Sequence, residues 1–484
     1  MRTKKIIDKY YVNSNGVDVE VEIAETEEKY VPTYAISIKN ITATTKLILD
    51  KIREEFVSSL NYSEIEHSQE EDADSLRKKF TENIARLVNK FFPKADEKTK
   101  NTLVNYLLEE NLGLGKIDIL LKDKDLEEIV INNHKEPVWV YHRKYGWLET
   151  NIIIFTESRI RHYSTMIGRD VNKEITILNP LMDAHLKSGD RVNATLTPIS
   201  TKGNTITIRK FAEDPWTIIK FIDVGTISAE GAALVWLAVQ NELSVLIAGG
   251  TGSGKTSMLN GISNFLSPNQ RIISIEDTRE LKLSTFLHWV PLETRLPNPE
   301  GKGGVTMLDL LVNSLRMRPD RIFVGEIRRK EEAQVLLEAM HTGHSVYGTI
   351  HANNAEETVT RLTNPPIDIP KGMISSISMI LVQNRNRRSG KRRTIQIAEV
   401  TKTGDPRVLM QYNAMSDRLE KVNESEEIFN TISLYTGMTK QQILEELKTK
   451  AQILLWLLNK KIYTINELGR FMSDYYTGRL NIKT

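Results

Sequence analysis

Eight consecutive residues, Gly249-Gly250-Thr251-Gly252-Ser253-Gly254-Lys255-Thr256, constrain the fold of this chain more than any others. They read G-x-x-x-x-G-K-T, the phosphate-binding loop, and such a loop works only between a buried strand and a helix. The flanks meet that demand. Ser244-Val245-Leu246-Ile247-Ala248 is a short apolar run suited to a buried parallel strand, and Ser257-Met258-Leu259-Asn260-Gly261-Ile262 can open a helix. The glycines let backbone N–H groups turn inward around a phosphate chain, and the helix N-terminus adds partial positive charge. Gly249 to Ser257 is therefore the predicted ATP-binding segment. Lys255 is placed to reach the β- and γ-phosphates, and Thr256 to hold Mg²⁺ through its hydroxyl.

A phosphate loop needs carboxylates to hold Mg²⁺ and to act on water. Two apolar runs end in them: Ile272-Ile273-Ser274-Ile275-Glu276-Asp277 and Ile322-Phe323-Val324-Gly325-Glu326. In an open α/β sheet, ligands gather at the carboxyl ends of strands, so both acids can face the phosphates. Gly325 stands where an Asp is usual in this second motif. His341, His344 and His351 form a further cluster. A strand separates His344 from His351 and no cysteine completes a ligand set, so phosphate sensing or a subunit joint is preferred to a metal site. Arg191 and Arg209 flank a hairpin upstream, and Arg316, Arg318 and Arg328 surround the second acidic run. The basic run Arg385–Arg393 holds no aromatic residue to stack on bases, and Ser389-Gly390 reads as its hairpin tip. A solvated tip is therefore expected rather than a nucleic-acid surface.

Apolar strand runs at 244–248, 271–276, 321–326 and 345–351 alternate with helical stretches, which implies a parallel sheet with crossover helices. The expected organisation is an N-terminal region of short strands and helices (1–114), an α+β domain (115–215), a hinge linker (216–226), the ATPase domain (227–424) and a helical C-terminal extension (425–484). Residues 61–75 are polar and acidic and read as a loop or linker. In the extension, Leu444, Leu447, Ala451, Leu454, Leu455 and Leu458 read as the buried stripe. The chain has no cysteine, which excludes disulfides, thiol catalysis and cysteine-ligated zinc. The net charge of +2 argues for no global attraction to nucleic acid or membrane. No apolar run approaches a bilayer span and the first residues do not read as a signal peptide, so a cytoplasmic location is expected.

Together, the loop, Ile275-Glu276-Asp277-Thr278-Arg279-Glu280, Arg318-Pro319-Asp320 to Gly325-Glu326-Ile327-Arg328, and Gly343-His344 to His351 resemble the type II/type IV secretion ATPase superfamily. There these stretches are the Asp box, an atypical Walker B and the His box. The resemblance extends back to Gly189-Asp190-Arg191-Val192-Asn193-Ala194 and Ile208-Arg209-Lys210-Phe211. Phe286–Leu292, Gly301–Met307 and Leu362–Pro366 resemble the archaeal branch, which drives pilus or archaellum assembly. The resemblance implies an α/β fold: a RecA-like P-loop ATPase domain with a parallel sheet, preceded by a smaller α+β, PAS-like domain. It implies a homohexamer binding ATP and Mg²⁺ at subunit joints, docked on the cytoplasmic membrane through a polytopic platform protein and acting indirectly on pilin-like subunits. Glu276 and Glu326 would share Mg²⁺ and water activation, Arg191 and Arg209 would reach nucleotide, and His344 and His351 would couple phosphate state to motion. The competing expectation is a DNA-translocating, helicase-type P-loop motor.

Overall fold

The computed structural model describes residues 4–38, 41–59, 73–171, 173–186, 188–211, 215–297 and 301–480. The expected linker at 61–75 lies outside them as far as residue 72. The chain divides into two compact units, Met1–Glu213 and Asp214–Thr484.

In the first unit, strands β1 (Lys4–Ser14), β2 (Val17–Thr26), β3 (Thr33–Ile38), β4 (Leu126–Ile131), β5 (Pro137–His142), β6 (Gly146–Ile153), β7 (Leu181–His185), β8 (Arg191–Thr195) and β9 (Thr205–Arg209) form one sheet among the described residues. Its order is β1-β2-β3-β6-β5-β4-β9-β8-β7. The alternation of Val17, Val19, Val21 and Ile23 buries one face of β2, as period-2 patterning requires. The expected boundary after residue 114 does not separate two bodies. β3 pairs in parallel with β6, and the Tyr10 and Tyr34 hydroxyls donate to the Asp123 carboxylate at 2.7 and 2.6 Å. The helices Ala43–Ser59, Ala73–Phe91 and Glu97–Leu112 share a separate small core around Ile52, Phe56, Ile84, Val88, Leu103 and Leu107.

The second unit holds β10 (Val245–Gly249), β11 (Arg271–Glu276), β12 (His288–Glu293), β13 (Arg321–Val324), β14 (Ser345–Ile350), β15 (Met379–Arg385), β16 (Arg392–Val400), β17 (Pro406–Asn413) and β18 (Arg418–Lys421). Their order is β12-β11-β13-β14-β10-β15-β16-β17-β18. The sheet is parallel from β12 to β15 and antiparallel beyond. Along each central strand alternate residues enter two different cores. Val245, Ile247, Phe323, Tyr347 and Leu381 face one, while Leu246, Ala248, Val324, Val346 and Val382 face the other. Both faces are covered, which is why these strands read as continuous apolar runs. β12 sits at the parallel edge and reads less clearly in sequence because Pro291 interrupts its apolar run.

Residues 216–226 were expected as a hinge linker. They hold the helix Ile218–Asp223 instead, and Ile218, Ile219 and Phe221 are buried in the core of the second unit. The C-terminal helices are likewise core rather than an appendage. Trp236 of the helix Ala229–Gln240 stacks on Phe265 at 5.3 Å and donates to Tyr476 Oη at 3.1 Å. In the helix Lys440–Asn459 the buried face runs through Ile443, Lys450, Ile453, Leu454 and Leu457, whereas Leu444 and Leu455 are exposed. Of the expected stripe, Leu454 is buried and Leu447, Ala451 and Leu458 pack against the core. Lys450 occupies a core position that hydropathy does not mark.

Lys450 is fully buried and its ammonium is satisfied. Nζ donates to Gln240 Oε1 at 2.7 Å and Tyr475 Oη at 3.0 Å, pairs with Glu446 at 2.9 Å and lies 4.5 Å from the Trp236 ring centroid. Alanine and methionine both take the ammonium from its three partners, and only alanine also leaves a cavity. Lys450→Met is expected to lower unfolding free energy by about 3 kcal/mol and Lys450→Ala by about 1–2 kcal/mol more, read by urea denaturation. Equal losses would show that volume contributes nothing at this position.

Candidate active site

The parallel register places the ends of β10, β11, β13 and β14 on one edge of the sheet. Gly249 ends β10, and a Cβ there would collide with Ser253 Oγ and the Gln383 carbonyl. Gly252 (φ 70°) and Gly254 (φ 93°) hold left-handed conformations that a side chain would strain. Gly254 then hands the chain to the helix Lys255–Ile262. The loop is thus a concave backbone cradle, and the buried Ser253 Oγ has no hydrogen-bond partner among the described residues. A bound phosphate oxygen would satisfy it.

Lys255 is nearly buried. Its Nζ donates to the Gly250 carbonyl at 3.2 Å and to His351 Nδ1 at 3.4 Å. Burial lowers its pKa, and Glu326 and Glu280 pull it back up. From His351 a chain of charge runs outward. His351 Nε2 contacts Glu326 Oε1 at 2.9 Å, Arg328 Nε donates to Glu326 Oε2 at 2.8 Å, and Arg328 Nη1 donates to Asp277 Oδ2 at 2.7 Å. Burial, then Lys255, push the His351 pKa down, which favours a neutral ring. The partners fix its tautomer: Nδ1 accepts from the ammonium and Nε2–H donates to the carboxylate. The turn after β13 is pinned to β14, because Thr349 Oγ1 donates to the Gly325 carbonyl at 2.5 Å and Ile327 N–H donates to the Thr349 carbonyl at 2.9 Å.

Glu276 is the second carboxylate expected beside Mg²⁺. It is buried at the end of β11, and its Oε1 accepts the backbone N–H groups of Glu280 and Leu281 at 2.9 and 3.0 Å. Burial raises its pKa to about 7. A Cβ on Gly325 would lie 3.4 Å from Glu276 Cγ, so the glycine leaves room beside this carboxyl. Glu276 Oε1 thus holds the turn to residue 281, its buried Oε2 has no hydrogen-bond partner among the described residues, and Lys255 feels the charge of Glu326 and then of Glu280.

His344 is not brought to the loop within the chain. It precedes β14, while His351 follows it, about 20 Å of strand away. His344 Nδ1 lies 3.2 Å from both Thr342 Oγ1 and the Ala339 carbonyl, closing the helix Lys330–His341. His341, Arg316 and Arg318 are exposed away from the charge chain. Arg191 and Arg209 belong to the first unit, where they face each other across β8 and β9. Arg191 is held by Asp183 through bonds of 3.0 and 2.6 Å. Thr256 is half-buried in the first helical turn and Ser257 is exposed.

Residues 174–442 match the family described as Type II/IV secretion system protein. The chain belongs to this family of secretion ATPases. It is 33% identical to the uncharacterized protein MJ0900 of Methanocaldococcus jannaschii, over 93% of this chain and 86% of the relative. It is 30% identical to the type IV secretion system protein PtlH of Bordetella pertussis, over 57% of this chain and 91% of that protein. The solved ATPase DotB of Legionella pneumophila is 18% identical, covers 74% of this chain and 93% of its own, and superimposes with a TM-score of 0.43. This secretion ATPase is accordingly an ATP-binding hydrolase with an α/β, RecA-like domain, and it falls in the archaeal branch. Among its described residues no helix is long and apolar enough to cross a membrane.

Two groups at the secretion ATPase site escape sequence reasoning. Glu280 is a third acid four residues after Glu276, a visible signal that the paired Glu276-Asp277 overshadows. Arg392 is the second. Its Nε donates to the Gly252 carbonyl at 3.0 Å, so part of the basic hairpin leans on the phosphate loop instead of standing in solvent. Composition could not reveal that, because it depends on β15 pairing beside β10.

Glu276 carries a pH dependence whose sign is fixed by its raised pKa. The fold favours the protonated carboxyl, so its contribution is complete below the ordinary value of 4.5 and is lost as pH rises through about 7. Full loss amounts to roughly 3 kcal/mol. Between about pH 5 and pH 8 the unfolding free energy of the wild type should fall relative to Glu276→Gln, measured by urea titration at each pH. A difference that stays constant across that range would contradict it.

Proposed function

We propose that this chain is a Mg²⁺-dependent ATP hydrolase that works as a homohexameric motor for assembly of a type IV pilus-like filament. It acts from the cytoplasmic face of a membrane on a polytopic platform protein, and through it on pilin-like subunits. The observation that carries the ATPase reading is the convergence of Lys255, His351, Glu326 and Arg328 on one phosphate cradle. Family membership and the archaeal relatives support the filament role.

Lys255 would leave His351 and the Gly250 carbonyl to bind the β- and γ-phosphates. His351 would then report the γ-phosphate to Glu326, whose carboxylate Arg328 holds in place. Thr256 and Glu326 fit a Mg²⁺ held jointly with nucleotide oxygens, since this ion takes few protein ligands and polarises phosphate. Glu276 and Glu326 are proposed to share the Mg²⁺ and the orientation and deprotonation of water, with Glu280 adding negative charge near Lys255. Glu276 Oε1 also fixes the 276–281 turn. Arg191 and Arg209 are proposed to reach nucleotide, and His344 to act at a subunit joint. The DNA-motor alternative rested on the basic hairpin. There Lys391 and Arg393 are paired with Asp417 at 3.0 and 2.8 Å, and Arg392 faces the loop.

Lys255→Ala is expected to abolish Mg²⁺-stimulated ATP turnover. Glu326→Gln should lower it at least ~100-fold while nucleotide binding survives. Phosphate-release assays and light scattering with a non-hydrolysable ATP analogue read both activity and ring formation. Full turnover by Lys255→Ala would sink the catalytic assignment. Many-fold stimulation by single-stranded DNA would replace the filament motor with a DNA motor.

A further inference from the structure

The hairpin between β15 and β16 overhangs the phosphate loop. β15 runs parallel to β10, with Gly249 paired to Gln383, so Asn384 and Arg385 continue past the point where β10 turns into the loop. The returning strand begins at Arg392, which pairs directly with Arg385. Two guanidinium side chains therefore stand opposite each other on one face of the hairpin. Directly opposed like charges weaken a strand pair.

Both are close to the loop's left-handed glycines. Arg385 Nη1 lies 3.4 Å from the point a Cβ on Gly252 would occupy, and Arg392 Cδ lies 3.5 Å from the same point on Gly254. Arg392 Nε donates to the Gly252 carbonyl, and among the described residues Arg392 makes no ion pair. Its neighbours differ. Lys391 bonds Asp417 Oδ2 at 3.0 Å, and Arg393 grips the same carboxylate at 2.8 and 2.9 Å. The hairpin neutralises the two cations that flank Arg392 and leaves the charge of Arg392 beside the loop.

We propose that Arg392, with Arg385 beside it, supplies positive charge from within the same subunit to the polyphosphate of the nucleotide held in the loop. The guanidinium exchanges its bond to the Gly252 carbonyl for a charge-assisted bond to a phosphate oxygen, a stronger partner. This inference rests on the ATP-binding reading above and adds two residues to it.

The test is equilibrium binding of a fluorescent ATP analogue to the full chain, with Arg392→Gln, Arg392→Lys and the exposed-tip control Arg387→Gln. Glutamine keeps a neutral donor for the Gly252 carbonyl, and lysine keeps the charge. The expected result is at least about tenfold weaker binding for Arg392→Gln, with Arg392→Lys and Arg387→Gln within about threefold of wild type. The gap between the Gln and Lys variants should shrink as salt rises. If both Arg392 variants bind like wild type, or both lose affinity equally, or only the lysine variant fails, the charge assignment is overturned. Wild-type protein that binds no ATP would overturn the nucleotide reading itself, whereas tight wild-type binding with indifferent Arg392 variants overturns this inference alone.

Discussion

Parallel pairing of β10 with both β14 and β15 is the constraint on which the catalytic unit depends. It aligns strand ends, and strand ends are where this chain keeps its chemistry. Gly249, Glu276, Gly325-Glu326 and His351 are scattered over about a hundred residues of sequence, yet each follows or closes a strand of one parallel set. The register in turn depends on alternation. A slip of one residue would exchange the sets that face the two cores, moving Phe323 and Tyr347 into the space built for Val324 and Val346. Two well-filled cores therefore hold the site in shape before any ligand arrives.

Within that frame, each charge is placed by its neighbours. Lys255 and Glu326 are joined through a neutral imidazole, so the ammonium and carboxylate communicate without a direct ion pair. Arg328 spans Glu326 and Asp277, tying the ends of β13 and β11 together. Glu276 and Glu399 also hold chain turns. Glu399 is fully buried and accepts the Ser425 hydroxyl at 2.6 Å, the N–H groups of Glu426 and Glu427 at 3.1 Å and that of Ile428 at 3.3 Å. It caps the helix Glu427–Thr436 from across the sheet.

The strands that carry the loop and the acids were legible because they are short, wholly apolar and bounded by glycine or carboxylate. The cradle was legible because G-x-x-x-x-G-K-T demands it. Three things were not. The place of Lys450 in the core of the Lys440–Asn459 helix was not, because besides Glu446 its partners Gln240 and Trp236 lie some 200 residues away in sequence. The different surroundings of Glu276 and Glu326 were not, since burial and hydrogen-bond partners set them apart and neither is encoded in spacing. The N-terminal strands read as a separate region because their partner β6 follows more than a hundred residues later, and long-range pairing leaves no local trace.

The hairpin joins two parts of the catalytic unit that sequence would keep apart. Arg392 Nε holds the Gly252 carbonyl, while the Arg392 carbonyl accepts from Thr226 Oγ1 at 3.2 Å. The next residue, Arg393, donates to the Val224 carbonyl at 3.2 Å, and Thr394 N–H donates to the Thr226 carbonyl at 2.7 Å. Residues 224–226 follow the helix Ile218–Asp223, close to where the chain enters this unit. The entering segment and the phosphate loop are therefore bonded to opposite sides of one short strand start. A shift of residues 224–226 must either break these bonds or carry Arg392 with it, and Arg392 touches the Gly252 peptide directly. The phosphate loop and the entry segment are thus both bonded to one stretch three residues long, Arg392 to Thr394, and neither bond depends on the packing of the core.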